Sequence, residues 1–134
     1  MMLNVRYGKL WLAAGWALII SAVIVCLLPA QELPTTGLSD KWEHFVCYAV
    51  LTSFFAGLYP RTSYWKIVLS FIAMGIAIEF AQGAMHLGRQ ADINDVIANS
   101  IGVVIGLVLS LAGLGRWAQW IDSWTGAREP ARSE

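Results

Sequence analysis

The sequence predicts an all-α membrane protein, a bundle of four transmembrane helices with both termini cytoplasmic, followed by a short amphipathic helix. Three observations carry that expectation. Four long apolar runs divide the chain, the ionisable residues gather around the ends of those runs, and the composition is far from that of a soluble domain. Of 134 residues, 57% are hydrophobic and only 13% charged, with a mean hydropathy of +0.59. Soluble proteins are about half apolar and about a quarter charged.

The first run, Leu10 to Leu28, carries no charge and has about the 20 residues that a helix needs to cross the hydrocarbon core. It is longer than the roughly 7–15 residues of a secretory h-region and has no clear small-x-small cleavage site after it, so it reads as a retained span. The second run, Glu43 to Tyr59, ends at Pro60, whose missing N–H cannot continue a helix. The third runs from Trp65 to His86 and is interrupted by Glu79 and Gln82; the fourth runs from Ile93 to Leu114. Residues 1–116 therefore read as one membrane domain with spans near 10–28, 43–59, 65–86 and 93–114. Trp117, Trp120, Ile121 and Trp124 then recur at helical spacing, which suits a helix lying in the headgroup layer as well as a frayed continuation of the last span. The polar end of the 117–134 segment contains Pro130 and reads as disordered.

Orientation follows from basic residues. Arg6, Lys9, Arg61, Lys66 and Arg116 flank one side of the spans, against Lys41 and Arg89 on the other. The positive-inside rule puts the first group, and with it both termini, in the cytoplasm. Trp11, Tyr59, Tyr64, Trp65 and Trp117 fall at the same boundary and Trp42 at the opposite one. Nine basic and nine acidic residues balance, which leaves no electrostatic footprint for nucleic acid. Cys26 and Cys47 lie inside apolar runs without metal-ligand spacing and read as packing residues.

Three helices carry polar stripes that topology brings to the outer face. Lys41, His44, Tyr48 and Thr52 lie three or four apart on the second span, Glu79, Gln82 and His86 on the third, and Asp92, Asp95 and Asn99 on the fourth, with Arg89 in the short loop between the last two. The inner half of the bundle reads as almost wholly apolar. A carboxylate at the depth of Glu79 costs about 2.5–3.5 kcal/mol on insertion scales, so it needs a partner or a purpose. Asp40 with Glu43, and Asp92 with Asp95, also fit an N-cap followed three residues later by an acid. Ala98, Gly102, Gly106 and Ser110 place a small residue at every fourth position, and Ala13, Ala17 and Ser21 match them on the first span. Such a face suits close helix packing, within the bundle or between two copies through Gly102 and Gly106.

These residues resemble the VanZ-like family of small bacterial membrane proteins. The matching pieces are Asp40-Lys41-x-x-His44-Phe45-x-x-Tyr48, Glu79-x-x-Gln82, and Arg89-x-x-Asp92-x-x-Asp95-Val96-x-x-Asn99-x-x-Gly102, in the family's order and spacing. The resemblance implies a four-helix domain in the bacterial inner membrane and, for the founding members, low-level resistance to the lipoglycopeptide teicoplanin. It implies no settled reaction.

The expected site is an outward-facing pocket of Lys41, His44, Tyr48, Glu79, Gln82, Arg89, Asp92, Asp95 and Asn99. Its first reading is binding of a lipid-linked or lipid-like envelope molecule, with Lys41 and Arg89 holding phosphate or carboxylate. A second is an enzyme acting on such a head group by general acid/base catalysis. A third is proton- or ion-coupled transport through Glu79, although four short helices without an inverted repeat suit it poorly. No HExxH or comparable ligand spacing is present, so no metal and no other cofactor is expected.

Overall fold

The computed structural model describes residues 1–29, 39–85 and 90–126. Every regular element among them is helical: α1 (Gly8–Leu27), α2 (Asp40–Ala56), α3 (Tyr64–Met85), α4 (Ile93–Leu111) and α5 (Trp117–Trp124), with 3₁₀ turns at Arg61–Ser63 and Leu114–Arg116. The four long helices begin and end within three residues of the expected spans. α2 starts earlier than its apolar run because Asp40 and Glu43 sit favourably in its first turn. Ser39, not Asp40, is its N-cap residue.

Among the described residues, three stretches are long and apolar enough to cross a membrane: Gly8–Leu27, Arg61–Met85 and Ile93–Leu111. α2 is shorter, at 17 residues, and carries the charged first turn. Its place in the bundle explains why it can be more polar, since it packs against α1, α3 and α4 and has the most extensive interface, with α4.

That interface rests on two glycines. A Cβ on Gly102 would run into the carbonyl oxygen of Phe45, and one on Gly106 would lie 2.6 Å from the carbonyl oxygen of Ala49. Only hydrogen at these positions lets the two backbones approach. The small-residue face of α4 is thus taken up by α2 inside the chain, and both glycines are buried there rather than offered to a second copy. The expected match on α1 is not used: Ala13, Ala17 and Ser21 are exposed. α1 packs instead through Leu12, Gly15, Ile19 and Ala22, with Gly15 against the Phe55 ring.

Helix order is up, down, up, down. At one end Leu3 N–H donates to Leu58 O at 2.8 Å and Arg6 N–H to Asp122 at 2.9 Å, so the start of the chain is tied to the α2–α3 turn and to α5. Trp117 Nε1–H donates to Phe54 O at 3.0 Å, and its ring stands edge-on to Trp11. Gly113, at φ 136°, adopts a conformation that a side chain disfavours and turns the chain out of α4. α5 is therefore a separate helix and not a frayed end of α4. Its Ala118 is fully buried with Val5 and Leu58, while Trp120 and Trp124 are exposed.

Candidate functional site

The opposite end collects the polar residues. Asp92 is the N-cap of α4: its side chain accepts Asn94 N–H at 2.8 Å. Its own N–H donates to Glu79 Oε2 at 3.0 Å, across from α3. In a capping box that amide would go to the acid at the third helical position, here Asp95. Glu79 takes the role, and Asp95 turns toward α2.

Asp95 and Asp92 together hold Lys41. Its Nζ donates to Asp92 Oδ2 at 3.0 Å and to Asp95 Oδ1 at 3.1 Å. The Lys41 side chain is 51% exposed and that of Asp95 only 6%, so the ammonium closes the rim over a buried carboxylate. The bond to Asp92, then that to Asp95, raises the Lys41 pKa above its ordinary value. The Asn94 amide, then Lys41, lowers that of Asp92. The expectation that Lys41 clamps an anion thus meets an ammonium already shared by two carboxylates.

Below the rim lies His44, buried between α2 and α4. Its Nδ1–H donates to Asn99 Oδ1 at 3.0 Å, while Nε2 faces Asp40 Oδ2 at 3.8 Å and Asp95 Oδ2 at 4.0 Å. Deeper still are Tyr48 and Thr52. The Tyr48 hydroxyl, the Thr52 hydroxyl and Asn99 Nδ2 are buried without a hydrogen-bond partner among the described residues. Gly75 of α3 makes room for them: a Cβ there would lie 3.1 Å from Asn99 Nδ2 and 3.3 Å from the Tyr48 hydroxyl oxygen. Polar groups continue down the seam, where Ser53 and Ser110 both donate to Gly106 O. The half of the bundle away from this polar end is therefore less purely apolar than its composition suggests.

The structure brings Lys41, His44, Glu79, Asp92, Asp95 and Asn99 into one connected group, with Tyr48 beneath it. Gln82 is buried but faces α1, where its Nε2–H donates to Cys26 O at 2.7 Å and satisfies a carbonyl in the last turn. Arg89 and His86 lie outside the described residues. Asp40 is the residue whose part sequence reasoning undervalued: read as a cap, it stands one helical turn before His44 and faces its ring. The four-residue spacing was the available signal. A cavity of about 100 Å³ opens beside it, lined by Ala22, Val25, Cys26, Asp40, Glu43, His44 and Cys47. Cys26 and Cys47 are thiols, not a disulfide.

Among described residues this end holds five carboxylates (Asp40, Glu43, Glu79, Asp92, Asp95) and one ammonium. Among the described residues this surplus of carboxylates suits cations and hydroxyl groups.

No curated protein and no solved structure matches the chain. The family model described as VanZ/LLP1 matches residues 23–114, from the second half of α1 to the end of α4, and so covers the whole polar end. The chain belongs to the VanZ-like family.

Proposed function

We propose that this protein spans the inner membrane four times, with both termini cytoplasmic, and that its outward-facing polar end binds a lipid-linked or lipid-like cell-envelope molecule. The observation that carries this reading is the burial of three ionisable side chains, His44, Glu79 and Asp95, together with Asn99 at one end of the bundle. Ionisable side chains inside a membrane bundle are expensive to keep and mark sites by default. Large exposed side chains such as Trp16, Ile20, Phe80, Ile101 and Val108 on the outer surfaces of α1, α3 and α4 suit contact with acyl chains. α2, at about 26 Å of helix, completes the crossing through Gly57–Tyr59 while its neighbours shield its polar face. Trp120 and Trp124 of α5 suit the inner headgroup layer.

The 100 Å³ cavity is too small for a sugar or peptide head group. Such a group would rest on the rim formed by Lys41 and Asp92, with its acyl chains beside the bundle. This fits a protein that changes how an envelope precursor is presented, and with it the lipoglycopeptide susceptibility tied to founding members of the family. Native mass spectrometry in a mild detergent tests the reading. The wild type is expected to carry a lipid or lipid-linked mass that Asp95→Asn loses; a wild type that carries none would sink it.

A further inference from the structure

Three electron-rich atoms converge at the top of the α2–α4 seam. The His44 side chain is 3% exposed. Because a carbonyl oxygen can only accept, the hydrogen shared with Asn99 sits on Nδ1, and in the neutral ring Nε2 presents a bare lone pair. That lone pair faces Asp40 Oδ2 at 3.8 Å and Asp95 Oδ2 at 4.0 Å, both beyond hydrogen-bond distance. Lys41 engages the other oxygen of Asp95, so Oδ2 is left aimed at the ring. One donor atom from each of Asp40, His44 and Asp95 falls within 4.8 Å of the other two. With the ring neutral, these three atoms form a donor set that a cation placed between them would engage.

We propose that Asp40, His44 and Asp95 bind a divalent cation of the zinc class, with Asn99 as the positioning residue that fixes the His44 tautomer. An imidazole with two carboxylates is a borderline donor set suited to such ions. An ion about 2.1 Å from each donor needs them about 3.4 Å apart in a tetrahedral arrangement, so Nε2 and each oxygen close by about half an ångström, and the two oxygens, within 4.8 Å of each other, by at most about 1.4 Å. The Nδ1–H bond to a fixed acceptor is the usual companion of a metal-binding imidazole. Asp40 is 47% exposed, which gives the ion an entry route. The adjoining cavity has room for about three waters at roughly 30 Å³ each, so at least one coordination position stays open to an oxygen ligand. Such an ion would also add positive charge at the acidic rim for an anionic head group. No local motif announces the site because its ligands are split between two helices. The cation site stands whether or not a lipid binds.

The full-length protein, purified in detergent with its affinity tag removed, is titrated with Co²⁺ and followed by visible absorption, then challenged with Zn²⁺. One Co²⁺ per chain is expected, displaced by Zn²⁺. Binding should weaken at least about tenfold in His44→Gln and Asp40→Asn, and about 10–100-fold in Asn99→Ala. Asp40 is half-exposed in the first turn of α2, so its substitution reads the site even where the His44 variant fails to fold. Asp122→Asn, at the opposite end, should bind as the wild type does. A wild type that takes up neither metal, as an imidazolium at His44 would require, overturns the proposal. So does a folded Asp40→Asn protein that binds Co²⁺ as tightly as the wild type, or an equal loss in Asp122→Asn.

Discussion

The carboxylate of Glu79 accepts the backbone amide of Asp92 at 3.0 Å, so a residue of α3 completes the cap of α4. This one bond joins two polar stripes and releases Asp95 for Lys41 and His44. It also gives the buried carboxylate a definite structural task, which any functional test must separate from its charge.

Glu79→Gln and Glu79→Leu make that separation. The glutamine keeps a carbonyl oxygen for the Asp92 amide, so its melting temperature should stay close to wild type. The leucine strands the amide and should lower stability by about 1–3 kcal/mol. If charge matters to the ligand, the glutamine variant should nonetheless lose the co-purifying lipid. A glutamine variant as unstable as the leucine one would show that the charge serves the fold.

Gly102 and Gly106 are expected to tolerate almost nothing. Alanine at Gly102 meets the Phe45 carbonyl and at Gly106 the Ala49 carbonyl and Thr52 Cβ, so the helices must part. Overpacking of this kind costs about 1–3 kcal/mol per site. Thermal unfolding in detergent should show that loss in both variants, while Ser21→Ala, exposed on α1, should change stability far less.

Stability should fall at both extremes of pH through the Lys41 bridge. Asp92 is held below its ordinary 3.8, so its contribution is present above that pH and is lost as pH falls through the lowered value. Lys41 is held above its ordinary 10.5, so its contribution is complete below that pH and is lost as pH rises through the raised value. Lys41→Met should remove the alkaline slope but only reduce the acid one, because the Asn94 amide still holds Asp92. Both groups are exposed, so the slopes should be shallow and shrink in high salt. An alkaline slope that survives in Lys41→Met would assign it to another group.

Sidedness can be read by an impermeant thiol reagent in intact cells, in a background without Cys26 and Cys47. Gln90→Cys should label and Arg61→Cys and Arg128→Cys should not. Labelling at position 61 would invert the orientation proposed here.

Apolar run length made the four long helices legible, and local spacing made the stripes legible. Neither carries information about partners. Spacing put Gln82 beside Glu79, but only the packing of α1 shows that it serves Cys26 O. The capping pattern at Asp92 and Asp95 was real in position, yet the acid that completes it comes from α3, far away in sequence. Small residues announced a close approach without saying to what: Gly102 and Gly106 meet α2, while Ala13 and Ala17 of α1 are exposed. Asp40 looked like a cap because caps are common where Asp precedes an apolar run. Its part at His44 depends on where α4 places Asp95.

The tie between the start of the chain and α5 has a consequence for biosynthesis. Arg6 cannot reach its partner until Asp122 has been made, almost a hundred residues after α1 is complete. At about 5–20 residues per second, that is on the order of ten seconds. For that time α1 lacks the clasp, although its packing partners α2 and α3 are made earlier. Its freedom from ionisable residues beyond Lys9 is what lets it wait, and in the finished protein only Gly8 and Gly15 of its 20 residues become buried. The most lipid-tolerant of the described helices is thus made well before the helix that acts as its clasp.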